Sequence, residues 1–238
     1  MSKEKLTIEQ TLRKRNYKIP SNLTWFAYGA LARSPFFGPK YHVHYNVIDD
    51  INKCEGPCFI VWNHLSRRDY LFLKNLIAPK KFNMVAGYSE FSRKKFSTIF
   101  RLANVLPKKN FVNDPSGIRA INMIIKQGGC VTFSPEGSSS IYGCNQPIVA
   151  GTGRFLQFFK APIYLMKLEG AYLTSHKVCI DDRIGKINAT LSLLISKEDL
   201  ANMTPLEIED KINDAFDHDD YLWNKEAHVK YKTKHNAC

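Results

Sequence analysis

A short apolar run that stops on a histidine constrains the fold of this 238-residue chain more than any other stretch. Phe59-Ile60-Val61-Trp62 follows Gly56-Pro57 and leads through Asn63 to His64. Four consecutive apolar residues are typical of a buried parallel strand, and apolar residues then recur at helical spacing over residues 70–77. His64 is therefore predicted at the carboxyl end of a strand, where catalytic groups collect in open α/β sheets.

Asp69, five positions after His64, gives this stretch a candidate chemistry. An imidazole near its ordinary pKa accepts a proton from an alcohol when a carboxylate fixes its other ring nitrogen. His64 precedes the predicted helix and Asp69 lies in its first turn, so the two side chains can converge. The same residues also fit a capping box formed by Ser66 and Asp69, with His64 only a turn residue. The spacing alone leaves both interpretations open.

The same pattern occurs a second time around Glu136. Residues 130–133 form a predicted strand, and Pro135-Glu136-Gly137 follows closely. By itself, Glu136 fits equally well as a turn or helix-capping carboxylate. Further strands are predicted for residues 41–47, 82–86, 162–168 and 189–195, the last with a mixed polarity that suits a sheet edge. The chain is thus predicted to adopt an α/β fold with a mostly parallel central sheet flanked by helices.

Three predicted helices carry specific expectations. Asp114 and Pro115 open a helix that Gly128-Gly129 closes, with a buried stripe formed by Ile118, Ile121, Ile124 and Ile125. A second helix has one apolar face made of Phe91, Phe96, Ile99, Phe100 and Ala103. A third starts at Gly151-Thr152-Gly153-Arg154, where glycine N–H groups are free to meet an anion. Arg154 by itself also fits a solvated surface charge.

Four segments of the chain resemble the motifs of one enzyme superfamily. Asn63-His64-x4-Asp69 looks like its first motif, and residues 131–140 are similar to its third, F-P-E-G-T-R-S. Residues 87–91 with 104–109 resemble a degenerate second motif, and residues 161–165 resemble the fourth. Together they cover roughly residues 58 to 168. The chain thus resembles the glycerolipid acyltransferase superfamily, which contains the 1-acylglycerol-3-phosphate acyltransferases.

The resemblance implies acyl transfer from an acyl-CoA or acyl-carrier protein to a lysophospholipid hydroxyl, most simply that of 1-acyl-sn-glycerol 3-phosphate. It implies that His64 takes the hydroxyl proton, that Asp69 orients the imidazole, and that Glu136, Gly137 and Ser138 bind the acceptor. No cofactor and no metal are expected. The alternatives are another acceptor, such as glycerol 3-phosphate or a non-phosphate lysolipid, and a non-catalytic lipid-binding protein.

One departure from the third motif concerns a phosphate on the acceptor. Ser139 stands where the family usually has an arginine that is thought to meet this phosphate, and the second motif ends in Lys108-Lys109. A phosphate in a partly desolvated site needs a compensating cation. We therefore expect Lys108, Lys109 or Arg154 to replace the missing charge, unless the acceptor is not a phosphate monoester.

The net charge of +12 implies an acidic partner. Anionic lipid headgroups, an acidic carrier protein and CoA phosphates all qualify, whereas no nucleic-acid partner is expected because no binding motif for one is found. Residues 23–37 are aromatic and apolar, too short to span a bilayer, and flanked by basic residues, which favours an in-plane membrane segment. A signal peptide and a helix packed on the domain are the alternatives.

These observations predict three parts of the chain. They are a membrane-associating segment in residues 1–40, the acyltransferase domain in residues 41–216, and a charged tail in residues 217–238. The protein is expected at the cytoplasmic face of an anionic membrane, peripheral or monotopic. Its six cysteines contain no C-x2-C pair and are expected to be reduced thiols.

Overall fold

The computed structural model describes residues 8–33, 42–109, 112, 114–172, 174, 186–220 and 222–223. Within these residues, seven strands form one sheet in the order β1-β7-β6-β2-β5-β3-β4. Their bounds are β1 His42–Val47, β2 Cys58–Trp62, β3 Phe82–Gly87, β4 Leu106–Lys108, β5 Cys130–Phe133, β6 Ile163–Glu169 and β7 Lys186–Ile195.

Five neighbouring strands of the sheet, β6, β2, β5, β3 and β4, run parallel to one another. Strand β7 pairs antiparallel with β6 and parallel with β1. The mostly parallel sheet is therefore confirmed, but the prediction that residues 189–195 form a sheet edge is wrong. The polarity of β7 alternates because one of its faces packs into the core through Ile187, Ala189 and Leu191 while the other is partly exposed.

Helices cover both faces of the sheet. Alternate residues of β2 divide between two cores: Ile60 and Trp62 pack with the helix that follows β2, whereas Phe59 and Val61 pack with helices of the opposite layer. This two-sided burial explains the uninterrupted apolar run in β2. The helices are α1 Ile8–Lys14, α2 Asn22–Arg33, α3 Asp69–Ile77, α4 Tyr88–Phe91, α5 Lys94–Leu102, α6 Pro115–Ile125, α7 Thr152–Phe159, α8 Lys197–Asn202 and α9 Pro205–Phe216.

Helix α6 begins as predicted but buries a different stripe. The Asp114 side chain accepts a hydrogen bond from the N–H of Gly117, 3.1 Å away, and Pro115 is the first helical residue. Ile121 and Ile124 are buried, but Ile118 is 43% exposed. Gly117 and Ala120 complete the buried face instead. Ile118 lies about 100° around the helix axis from Gly117, because each residue of an α-helix adds that rotation, and it is therefore outside the buried face.

The predicted apolar helix of residues 91–103 is interrupted. It divides into α4 and α5 at Ser92 and Arg93, where the Arg93 backbone is extended. Phe91 is buried against Leu12 and Val105, whereas Ile99 is 48% exposed. A single helical face across this stretch is therefore wrong, because the break at Arg93 changes the rotation of α5 relative to α4.

The described part of the N-terminal segment packs on the domain. In α2, the Trp25 ring lies edge-on against Phe82, 5.2 Å between centroids, and the Tyr28 hydroxyl donates to the carbonyl of Tyr70 at 2.7 Å. Lys74 Nζ lies 4.4 Å from the Trp25 ring centroid. Across the described ranges, no helix combines the length and hydropathy required to cross a membrane. Residues 34–37, the end of the predicted membrane segment, lie outside the described residues.

Candidate active site

His64 and Glu136 meet because their strands are neighbours. Strands β2 and β5 pair in register from Cys58 with Cys130 to Val61 with Phe133, and both run toward the same edge of the sheet. We call this edge, at which the five parallel strands end, the carboxyl edge. The backbone N–H of His64 donates to Glu136 Oε1 at 3.1 Å. Two residues that are 72 positions apart in sequence therefore occupy one site.

The His64 imidazole is oriented by Asp69. Nδ1 of His64 lies 2.8 Å from Oδ2 of Asp69, whose side chain is only 1% exposed. Both Asp69 oxygens already accept backbone N–H groups, so the carboxylate acts as an acceptor and Nδ1 carries the hydrogen. In the neutral imidazole, Nε2 then has the free lone pair. The ring is 27% exposed, and Nε2 makes no hydrogen bond within the described part of the chain.

Asp69 also organises the turn between β2 and α3. Its oxygens accept the N–H groups of Leu65 at 2.9 Å and Ser66 at 3.0 Å. The bond from Ser66 is half of a capping box, but the Ser66 hydroxyl accepts from the N–H of Arg68 and not from that of Asp69. The two alternatives for Asp69 are therefore compatible, because one carboxylate both closes the turn and binds the imidazole.

Two further residues fix the backbone around His64. The Asn63 side chain is buried and bonds the N–H and the carbonyl of Leu168 in β6, both at 2.8 Å. The N–H of Ser140 donates to the carbonyl of His64 at 2.7 Å. Sequence reasoning assigned neither role. A polar side chain directly after a fully buried strand was the available signal for Asn63, since buried amides require partners.

Glu136 is buried beside His64. Its side chain is 7% exposed, and burial is the main cause that raises the pKa of this carboxyl to about 7. The hydrogen bond from the His64 backbone opposes the rise. Gln146, which sequence reasoning also missed, lies 3.5 Å from Glu136 Oε2 and donates to the Ser138 carbonyl at 3.3 Å. Near neutral pH the carboxyl is therefore divided between its acid and its ionised form.

Gly137 and Ser138 are exposed at the turn that follows Glu136. Gly137 has φ +75°, a conformation that favours glycine, and an added Cβ would approach Val149 to 3.2 Å. Ser139, at the position of the motif arginine, is 9% exposed and makes no hydrogen bond within the described residues. This turn presents no cationic side chain.

The three predicted phosphate cations lie apart from one another. Lys108 ends β4, one of the two outer strands of the described sheet, opposite Gly87 of β3. Lys109 Nζ forms an ion pair with Glu9 of α1 at 2.7 Å. Arg154 is exposed on α7. Of the three, only Lys109 forms an ion pair among the described residues.

The glycine N–H groups at the start of α7 do meet a carboxylate, but it belongs to the protein itself. Oε1 of Glu209 in α9 accepts from Gly151 at 3.0 Å and from Gly153 at 2.9 Å. The close approach of α9 requires Gly153, because a Cβ there would lie 1.9 Å from the carbonyl oxygen of Pro205. This helix start therefore joins α7 to α9 and offers no open anion site at these two groups.

Comparison with known proteins agrees with the fold and identifies a family. Among solved structures, the chain is similar to the crystal structure of the 1-acyl-sn-glycerophosphate (LPA) acyltransferase PlsC from Thermotoga maritima, with a TM-score of 0.67 and 14% sequence identity. That similarity covers 87% of this chain and 81% of the other, and at this identity it shows a shared fold. None of the curated proteins matches the sequence. A model of the acyltransferase family matches residues 41–169, more than half of the chain, and the chain therefore belongs to the acyltransferase family.

Proposed function

We propose that this protein transfers an acyl group from a thioester to a hydroxyl of a lysophospholipid, with His64 as the general base. The observation that carries the proposal is the 2.8 Å contact between His64 Nδ1 and buried Asp69. This contact leaves Nε2 as the proton acceptor on a ring that is reachable from solvent. A base of this kind contributes when the acceptor hydroxyl lies within hydrogen-bond reach of Nε2.

The reaction follows from the roles of these two side chains. Nε2 of His64 takes the hydroxyl proton as the oxygen attacks the thioester carbonyl carbon. The tetrahedral species then breaks its carbon–sulfur bond, and the imidazolium returns the proton to the departing sulfur. The products are an ester and a free thiol, and no covalent enzyme intermediate is needed. Asp69 stabilises the imidazolium through the Nδ1 hydrogen bond. We propose an acyl-CoA or an acyl-carrier protein as the donor.

For the acceptor, we propose 1-acyl-sn-glycerol 3-phosphate, with Lys108 as the cation for its phosphate. Lys109 already pairs with Glu9, whereas Lys108 makes no ion pair among the described residues and ends at the same sheet edge as His64. Three strand spacings separate β4 from β2, roughly 14 Å between their backbones. The proposal therefore requires that the phosphate and the reacting hydroxyl of the acceptor together bridge this separation.

A neutral acceptor is the second candidate, and one observation favours it. Between Lys126 and Arg154 the only charged residue is Glu136, although the chain as a whole carries a net charge of +12. The turn after β5 therefore contributes no charged group to the site besides Glu136, and it includes the buried Ser139. Such a surface suits the hydroxyls of a non-phosphate lysolipid better than a phosphate monoester.

A donor and acceptor screen tests the proposed activity. Acyl-CoA and acyl-carrier donors are each combined with lysophosphatidate, glycerol 3-phosphate and neutral lysolipids, and thiol release and ester formation are measured together. His64→Ala should lower turnover about 10²- to 10⁴-fold without unfolding the protein. His44→Ala, which removes an exposed histidine from β1, is the matched control and should keep wild-type turnover. Near-normal turnover in folded His64→Ala would refute the mechanism.

Steady-state kinetics of Lys108→Met distinguish the two acceptors. With a phosphate acceptor, the change should raise the acceptor KM at least about tenfold and leave the donor KM unaltered, because a charge-assisted bond is lost. Lys109→Met and Arg154→Met are the matched charge-removing controls, for which we expect smaller effects. If all three variants keep the wild-type acceptor KM and neutral lysolipids serve as well as lysophosphatidate, the neutral acceptor is correct.

We also propose that the protein works at the surface of an anionic membrane, at its cytoplasmic face. Leu23, Phe26, Ala27 and Ala30 are exposed at helical spacing on α2, opposite the side that packs on the domain. Leu23 is 78% exposed and Phe26 is 75% exposed. An apolar stripe flanked by basic residues is the composition of an interfacial helix.

A further inference from the structure

A buried carboxylate organises the segment that follows α9. Asp220 is fully buried, at 0% exposure. Its carboxylate accepts the N–H groups of Gly170 and of Tyr172, the latter at 2.7 Å, just after β6 ends. His218 Nε2 lies 2.8 Å from the same carboxylate. Residues 217–220, which we call the C-terminal strap, therefore attach to the carboxyl edge of the sheet. They lie beyond the residues that the family model matches.

The strap also holds the loop of residues 140–145. The N–H of Asp220 donates to the carbonyl of Gly143 at 2.9 Å, and the N–H of Asn145 donates to the carbonyl of His218 at 3.2 Å. Tyr172 adds a third contact, since its hydroxyl donates to the carbonyl of Ile141 at 2.6 Å. The loop is thus held by the strap on one side and by Tyr172 on the other, and the Asp220 carboxylate contacts both.

The first residue of this loop, Ser140, contacts the turn that carries His64. The Ser140 hydroxyl accepts from the N–H of Gly143 at 3.0 Å and donates to the carbonyl of Cys144 at 2.6 Å. The Ser140 N–H then donates to the carbonyl of His64 at 2.7 Å. A continuous chain of hydrogen bonds therefore runs from Asp220 through Gly143 and Ser140 to the backbone of His64.

We propose that Asp220 is a positioning residue for His64, acting through the C-terminal strap and the loop of residues 140–145. This inference rests on the proposed function, because it assigns His64 as the base. A carboxylate buried at this depth is stable only while its donors are in place, so it fixes the two N–H groups and the strap together. A shift of the base by about 1 Å is enough to cost roughly 10²-fold in rate.

Asp220→Asn tests the proposal, because the asparagine amide must turn an NH2 group toward at least one N–H donor. We expect kcat to fall about 10- to 100-fold while the donor KM stays within about twofold. We also expect the Ser140 amide to exchange hydrogen at least about tenfold faster, with exchange in β2 and β6 unchanged. Asp217→Asn is the matched control, since it removes a carboxylate that is exposed in the same strap, and it should behave as the wild type.

Tyr172→Phe is the second variant and decides the outcome if Asp220→Asn fails to fold. It removes only the hydroxyl that bonds Ile141, and we expect a smaller fall in kcat with the same local increase in exchange at Ser140. Unchanged kcat in a folded variant overturns the proposal, whether or not Ser140 loses protection. A failure of the proposed function is separately visible, because the unaltered protein would then show no acyl transfer.

Discussion

Three hydrogen bonds define the orientation of His64. Its N–H is held by Glu136, its carbonyl by Ser140 and its Nδ1 by Asp69. The first two fix the peptide planes on either side of the residue, and the third fixes the ring and its tautomer. The direction of Nε2 is therefore set by the Asp69 carboxylate together with the fixed backbone of His64. Preorganisation of this kind is what a general base requires.

Asp69→Asn should reduce both activity and stability. An amide stabilises an imidazolium poorly, so we expect turnover to fall roughly 10²- to 10⁴-fold. Its NH2 group also faces a backbone donor at Leu65 or Ser66, which should lower the free energy of unfolding by about 1–3 kcal/mol. The sequence alone gives no measure of this loss of stability, because it does not reveal these two backbone bonds.

The two effects of Asp69→Asn are measured separately. Kinetics at a temperature well below thermal unfolding give the loss of turnover, and chemical denaturation gives the loss of stability. Asp210→Asn, an exposed change on α9, is the control for the loss of one negative charge. If Asp69→Asn lowers stability and keeps its specific activity, Asp69 acts only in the turn.

Glu136→Gln should change how stability depends on pH. The pKa of Glu136 is raised from 4.5 to about 7 by burial. Between these values the unfolded chain ionises while the folded protein keeps its proton, so the unfolded state binds fewer protons and stability falls as pH rises. The loss between pH 4.5 and 7 is about 3 kcal/mol, and the change to glutamine removes it.

Chemical denaturation at pH 5 and pH 8 tests this expectation. Between these two pH values, the wild type should lose about 3 kcal/mol of unfolding free energy relative to Glu136→Gln. Contributions from titrating groups that do not interact with Glu136 cancel in that difference. Parallel stability curves for the two proteins would show that Glu136 titrates normally.

At the scale of single elements, α2 has two different faces. Trp25 and Tyr28 pack against the domain, whereas Leu23 and Phe26 face outward. The helix is thus both a packed element of the domain and a candidate membrane contact. Removal of residues 1–37 would also strip Leu12 and Tyr17 from the core, so point changes on the outer face test membrane contact more cleanly.

Leu23→Asp combined with Phe26→Asp should weaken co-sedimentation with anionic vesicles at least about tenfold. Two charges placed on this face must be withdrawn from the lipid, and the burial of two apolar side chains in the lipid is lost. Leu206→Asp is the matched control, since Leu206 is 71% exposed on α9, in the opposite helix layer. Equal sedimentation of the double variant and the wild type, with both folded, would place the membrane contact elsewhere.

At the scale of the whole molecule, the net charge of +12 acts on every encounter with a membrane. We expect binding to anionic vesicles to fall strongly as salt is raised from 0.1 M to 1 M, because the Debye length shrinks from about 10 Å to about 3 Å. Binding to neutral vesicles should change little, since it depends on the apolar face of α2. Vesicle sedimentation across this salt range measures both. Equal salt dependence for the two vesicle types would contradict a role for the charge.

The amino-acid sequence by itself determined the fold class and the positions of the main strands. It also placed His64 and Glu136 just after strand ends and Asp69 in the first turn of the following helix. Local rules were sufficient because an apolar run buried on both faces, and a turn directly after it, each have a characteristic pattern. The resemblance of four segments to the motifs of one superfamily added the expected reaction, which is acyl transfer. The spacing of apolar residues was misleading where neighbouring elements decide which face is buried. Ile118 was predicted to be buried, and β7 was predicted to lie at a sheet edge.

Only the tertiary structure decided which groups surround His64. Asn63, Ser140, Gln146 and Asp220 act through partners that are distant in sequence, and hydrogen bonding to such partners has no periodicity that a sequence displays. The same reason explains why the sequence did not show which of the candidate phosphate-binding groups are already paired. Lys109 is neutralised by Glu9 from α1, 100 residues away, and the N–H groups of Gly151 and Gly153 are occupied by Glu209. Burial and charge pairing depend on what the fold brings near each group, and this is fixed only when the elements pack together.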